Sequence, residues 1–338
     1  GMARGEIARV LESRLRIEQI FAEHPEIEDE VIEEPVFVTG LARTGTSLLH
    51  ELLWRDPATR VPLTWEMIDP AFAARTGESE PDPARLAAIV AEVDLANAIL
   101  PALKTMHDLD ARLPNECIYL FAHHFATDTW SGYYRIPSYS MWKATCDPRP
   151  FYATHRRLLK LLQWRRPKKR FALKAPSHLG SLKPLFETYP DARVVITHRD
   201  PLKSLGSLAN LMASLQSMRS HTVDYDAVVK AMAFGHAMLP ERVMKQRDKG
   251  ALPADRITDL RYPDLVADPV GSVKGICEFL GTPLSARGER SIADWIANRP
   301  KDGHGVHEYT FADTGLDLAT ERAKYAEYLA RYDVPAEV

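Results

Sequence analysis

Between residues 4 and 24, Ile7, Val10, Leu11, Leu15, Ile17, Ile20 and Phe21 recur at steps of three and four, so the chain opens on an amphipathic helix. Such a helix has an apolar face to set against the body of the protein or against a second subunit, which leaves a homo-oligomer open. Pro35 restarts the chain as a short apolar run, Val36-Phe37-Val38-Thr39, which enters Gly40 and a polar loop before a helical stretch over 47–54. From about 82 to 165 helical periodicity dominates, first around Leu86, Ile89, Val90 and Val93, then over 117–125 and 152–164, with Pro101, Pro114, Pro137, Pro148 and Pro150 as breaks. Residues 131–150, rich in Tyr, Trp and Pro, predict a long aromatic loop.

Two further apolar runs, 170–173 and 193–197, flank a helical stretch near 179–189, and strand, helix, strand at this spacing makes a parallel pair. Residues 257–260 read as a fourth strand before a helix over 270–280. No repeat, low-complexity tract or Gly/Ser linker divides the chain. The predicted fold is therefore α/β: one domain over 1–338, a parallel β-sheet flanked by helices, with a helical insertion over about 82–168.

Composition adds limits. A chain of 338 residues, 45% hydrophobic and 26% charged, can bury a sizeable core, and its formal charge of −3 creates no global field for nucleic acid or an anionic membrane. Any anion site must be local. No stretch approaches the roughly 18 consecutive apolar residues of a membrane span. Cys117, Cys146 and Cys277 are too few and too scattered for a disulfide framework or a metal knuckle. Gly1 ahead of Met2 reads as a remnant of tag cleavage, and no basic, apolar leader follows, so a cytoplasmic location is expected.

The segment Gly40-Leu41-Ala42-Arg43-Thr44-Gly45-Thr46-Ser47 carries the first chemistry. Two glycines five apart after a strand, then hydroxyl residues opening a helix, make the frame of a phosphate-binding loop, whose backbone N–H groups hold an anion without a formal charge. The frame alone admits an ATP-dependent kinase or nucleoside triphosphatase. Such enzymes place a lysine directly after the second glycine, where Thr46 stands here, and the cation has moved to Arg43. That suits a 5′-phosphosulfate, which has no γ-phosphate or magnesium to be handled. A second anion site follows from Thr197-His198-Arg199-Asp200-Pro201, which closes a strand. Ser207, eight residues after Arg199 and two helical turns along, can reach the same phosphate from the other side.

With these residues in place, the phrases "GLARTGTSLL", "LKAPSHL" and "PDARVVITHRDPLKSLGS" resemble PAPS-dependent sulfotransferases, most closely their bacterial branch. The likeness runs in order through about 35–70, 170–210 and 257–283. It implies a P-loop nucleoside-triphosphatase-like sulfotransferase fold. It also implies transfer of a sulfuryl group from 3′-phosphoadenosine-5′-phosphosulfate (PAPS) to a hydroxyl or amine of a small-molecule, lipid or carbohydrate acceptor, with no metal. By the same resemblance Arg43, Thr44, Gly45, Thr46 and Ser47 hold the 5′-phosphosulfate, Arg199 and Ser207 hold the 3′-phosphate with Ser204 as a third candidate, and Tyr262 lies near the adenine. Lys301 and His307 fall where relatives carry a donor-binding loop, although the local sequence departs from the cytosolic animal pattern. A non-catalytic adenosine-bisphosphate-binding module is the remaining alternative.

Sulfuryl transfer needs a cation at the leaving oxygen and a base at the acceptor proton. Arg43 and Lys174, at a strand end in Leu173-Lys174-Ala175-Pro176, are the cations. Glu66, some twenty residues past the phosphate loop, is the first choice of base, with His178 and the cluster of Glu116, His123 and His124 as competitors. Aromatic residues from Trp130 to Trp142, including Tyr133, Tyr134 and Tyr139, either line an acceptor pocket or anchor their own segment.

Overall fold

Val36–Gly40 (β1) is buried along its whole length in the computed structural model, which describes residues 2–77, 81–102, 109–298 and 310–338. The other strands are Thr59–Arg60 (β2), Arg170–Lys174 (β3), Arg193–His198 (β4) and Ile257–Arg261 (β5). They form one sheet in the order β2-β3-β1-β4-β5, parallel throughout. The run of apolar residues in β1, β3 and β4 without polar alternation is what a strand covered on both faces requires. The pleat sorts them: Val36, Val38, Ala172 and Val195 pack on one side with Leu49 and Leu52, while Phe37, Leu173, Val194 and Ile196 pack on the other with Leu182 and Leu185.

Because β1 lies between β3 and β4, the chain leaves β1 toward one edge and later crosses to the other. The strand order reverses beside β1, and ligands in open parallel sheets bind at such a reversal, outside the carboxyl ends of the strands. Gly40, Lys174 and His198 end β1, β3 and β4 at that crevice.

Most of the elements read from the sequence are present, and two readings need correction. The N-terminal helix spans Met2–Glu23, but it buries Val10, Ser13, Ile17, Ile20 and Phe21 and leaves Ile7, Leu11 and Leu15 exposed. The expected aromatic loop over 131–150 is helical, as Asp128–Tyr133, Pro137–Thr145 and the start of Arg149–Gln163. Pro137 and Pro150 sit in first turns, where their missing N–H is no loss, so they start helices rather than break them. Tyr139 pins the turn that leads into the first of these helices, its hydroxyl accepting from Thr127 N–H at 2.9 Å and donating to the Thr127 carbonyl at 2.8 Å. Trp130, Tyr139, Trp142 and Phe151 follow one another in ring contact, which makes this aromatic series an anchor of its own segment. Among the described residues no helix is long and apolar enough to cross a membrane.

Buried histidines bear on acid stability, among them His50, His155 and His236. Burial, with a smaller push from the Lys174 charge, takes His50 down to about 3. Burial alone takes His155 to about 3 and His236 to about 4. The unfolded chain takes up these protons below about pH 6.5 while the folded chain does not, so the stability they confer is complete above that pH and is lost as pH falls toward 4 and 3. Each histidine should cost about 2 kcal/mol between pH 7.5 and pH 5. Urea unfolding at the two pH values should show this loss, and His236→Gln should flatten the slope.

Candidate active site

β1 delivers its end into the loop at residues 41–45, and two glycines there have steric reasons. A Cβ on Gly40 would stand 2.5 Å from the Thr197 carbonyl oxygen on β4. Gly45, at φ +90°, caps the helix Thr46–Trp54, and a Cβ on it would meet the Tyr262 ring at 2.6 Å. The first helical hydrogen bond is Leu49 N–H to the Gly45 carbonyl at 3.0 Å, so the N–H groups before it point out of the helix end into the crevice. Thr44 is turned inward, its hydroxyl bonded to Leu41 O at 2.7 Å and to the Thr197 hydroxyl at 2.6 Å. It fastens the loop to β4 and can offer an anion its backbone N–H alone. Arg43 takes the left-handed conformation at φ 70°, unfavourable for a residue with a Cβ and a mark of functional loops.

At the end of β3 the Lys174 side chain is 2% exposed. Its ammonium donates to Glu116 Oε1 at 2.7 Å and to Ser47 Oγ, in the first turn after the loop, at 3.1 Å. Glu116 is fixed there from both sides. Cys117 N–H donates to the Lys174 carbonyl at 2.8 Å, and Asn115 Oδ1 accepts the Glu116 N–H at 2.8 Å while its amide donates to Thr64 Oγ1 at 3.0 Å. A cation, a carboxylate and a helix N-terminus therefore converge at one point.

The β4 side brings the residues of the second candidate anion site against those of the first. Arg43 Nε donates to Ser207 Oγ at 3.0 Å, and the Arg199 guanidinium lies 4.1 Å over the Tyr262 ring, which itself packs on Gly45. Arg199 NH1 also approaches the Arg43 carbonyl at 3.4 Å. Arg43, Gly45, Arg199, Ser207 and Tyr262 form one continuous wall.

Several sequence candidates sit elsewhere. Glu66 is 1% exposed, with Oε1 accepting from Arg60 at 2.7 Å and paired with Arg166 at 3.4 Å while Oε2 accepts Leu63 N–H at 2.8 Å, so it caps its own helix and holds two guanidinium groups. His178 is fully buried among Phe37, Phe121 and Tyr152, with Nδ1 bonded to the Tyr152 hydroxyl at 2.8 Å. Burial, reinforced by His155, holds its pKa well below the usual histidine range. His123 is buried with Nε2 on the Met67 carbonyl at 2.9 Å, and His124 packs on Phe151. Ser204 is spent on the Pro201 carbonyl and His236. Lys301 and His307 lie outside the described residues. Conversely, Asn115 and Glu337 touch the site residues and went unnoticed. Glu337 binds Arg199 from 138 residues away, a separation with no local signal.

The sequence profile of the sulfotransferase family matches residues 35–286, which holds the loop, Glu116, Lys174, Arg199, Ser207 and Tyr262 together. The chain belongs to the sulfotransferase family. Its fold is that of sulfotransferase STF9 from Mycobacterium avium, with a TM-score of 0.85 and 28% identity over 97% of this chain and 84% of that one. Sulfotransferase STF1 from Mycobacterium tuberculosis H37Rv gives a TM-score of 0.79 and 28% identity, covering 97% and 86%. Among curated proteins the omega-hydroxy-beta-dihydromenaquinone-9 sulfotransferase Stf3 of Mycobacterium bovis is 26% identical over 261 residues, 74% of this chain. That match spans 63% of the relative's length.

Within this sulfotransferase-family site the assignment of Glu66 is testable through stability. Glu66→Gln leaves Arg60 and Arg166 facing a neutral amide in a nearly closed space, so it should cost about 3 kcal/mol in urea unfolding while leaving nucleotide affinity unchanged.

Proposed function

We propose that this sulfotransferase-family chain is a PAPS-dependent enzyme that moves a sulfuryl group to a hydroxyl, or an amine, of a small-molecule acceptor, working as one catalytic domain with a helical insertion. The observation that carries this reading is the placement of two anion-binding groups on one wall, the loop at Arg43–Ser47 and the pair Arg199 and Ser207, linked by the 3.0 Å contact from Arg43 to Ser207. Their proximity suits a nucleotide bearing a 5′-phosphosulfate and a 3′-phosphate. Thr46 in place of a lysine argues against a triphosphate.

The chain's own residues supply the catalytic requirements. Backbone N–H groups opening the helix Thr46–Trp54, with Arg43 and Lys174, stabilise the charge that grows on the departing phosphate oxygen. Glu116, rather than Glu66 or His178, takes the acceptor proton. Its carboxylate is 17% exposed and 2.7 Å from Lys174, whereas Glu66 and His178 are committed inside the protein. As the acceptor oxygen bonds to sulfur, the bond from sulfur to the phosphate oxygen breaks and the O–H proton passes to Glu116. The products are a sulfate ester and adenosine 3′,5′-bisphosphate. Tyr262, beneath Arg199 and against Gly45, is the side chain placed to meet the nucleoside.

For the acceptor, the Stf3 name points to a hydroxyl on a largely apolar body. Tyr119 and Tyr133 support an apolar approach to Glu116: both are partly buried, and desolvation pushes both phenols above their usual range, with the Glu116 charge a smaller contribution at Tyr119. Three free cysteines fit a cytoplasmic enzyme.

Adenosine 3′,5′-bisphosphate should raise the melting temperature without magnesium, and ATP should do so weakly. With radiolabelled PAPS and a panel of hydroxylated apolar acceptors, Glu116→Gln should keep bisphosphate affinity and lower kcat about 100- to 1000-fold, the usual size of general-base loss. Turnover that survives Glu116→Gln but is abolished in a folded Glu66→Gln protein would reverse the choice of base.

A further inference from the structure

Both members of the second anion site are engaged by side chains of the protein itself. Ser207 accepts from Arg43, and Arg199 is gripped by Glu337. The Glu337 grip is two-pronged: Arg199 Nε donates to Oε1 at 2.8 Å and to Oε2 at 3.1 Å, and NH2 donates to Oε2 at 2.7 Å. A guanidinium edge presenting two parallel N–H groups is the same fork that recognises two oxygens of a phosphate. The carboxylate thus sits on Arg199 as a phosphate would.

The surrounding contacts hold the backbone of this segment while leaving the carboxylate at the surface. Val334 is buried beside Met244 and Tyr328 at one end. At the other, Glu337 N–H donates to Asp200 Oδ2 at 2.6 Å and Arg322 donates to the Val338 carbonyl at 2.8 Å. Asp200 is itself fully buried and held by Arg322 at 2.6 and 3.0 Å. Val334 and the backbone at 337 and 338 are therefore tied, but the Glu337 side chain is 25% exposed and can rotate away without unthreading the strap. Substituting it leaves the backbone bonds to Asp200 in place.

We propose that Glu337 is an internal occupant of the 3′-phosphate subsite, a carboxylate that holds Arg199 until a 3′-phosphate takes its place, and that it thereby weakens donor affinity and hastens release of the bisphosphate product. This rests on the assignment of Arg199 to the 3′-phosphate. A dianion and the carboxylate would compete for one guanidinium edge, so one must leave, and the Glu337 side chain can do so while its backbone bond to Asp200 stays in place.

Calorimetric titration of the full chain with adenosine 3′,5′-bisphosphate and with adenosine 5′-monophosphate tests this. A partly exposed ion pair is worth a small factor in an equilibrium constant, so Glu337→Gln and Glu337→Ala should each tighten the bisphosphate about two- to fivefold and leave the monophosphate unchanged. Arg199→Ala should weaken the bisphosphate at least about tenfold, and adding Glu337→Gln to it should then give no gain. Unchanged or weaker bisphosphate binding in the Glu337 variants, with Arg199→Ala still damaging, would overturn the proposal alone and make Glu337 a positioning partner of Arg199. Bisphosphate binding indifferent to Arg199→Ala would overturn the 3′-phosphate assignment and the proposal with it.

Discussion

A lysine ammonium held at 2% exposure on the end of a central strand cannot stay charged without partners, and the arrangement of this site follows from that constraint. Lys174 finds a carboxylate on the segment after Pro114 and a hydroxyl on the helix after the phosphate loop. Satisfying one buried charge therefore draws together three parts of the chain that are distant in sequence: the loop, the strand end and the insertion. The same convergence sets a cation and a carboxylate side by side at the opening of the helix after the loop.

The wall formed by Arg43, Gly45, Arg199, Ser207 and Tyr262 is built on contact rather than on separate pockets. Gly45 lacks a Cβ because Tyr262 packs there, and Tyr262 in turn supports Arg199. Arg43 reaches from the loop to Ser207 on the neighbouring helix. On the proposed reading, a ligand that moves Arg43 at one anion site also releases Ser207 at the other, which would couple the two.

The strands with continuous apolar runs were legible because a doubly covered parallel strand has a simple signature. β2, at two residues, is too short to leave one. The helices at 128–133 and 137–145 were masked by proline and aromatic residues, which read as breakers unless the first-turn tolerance of proline is weighed. The phosphate loop and the Arg199 and Ser207 pair were readable since each is local. The position of Glu116 beside Lys174 was not, because distance along the chain says nothing about which carboxylate faces the crevice. One local clue existed: Glu66 stands at the third position of a helix beginning at Thr64, where a glutamate commonly returns to cap the helix start.

The central position of β1 also governs how the protein is made. Thr44 meets Thr197 across 153 residues, and Thr39 meets Ala175 across 136. During vectorial synthesis Val36-Phe37-Val38 emerges before either strand that will flank it, and the loop after it cannot be fastened until β4 has left the ribosome. The loop is translated before the strands that give it its shape, and through that interval the nascent chain carries an apolar strand without its native neighbours.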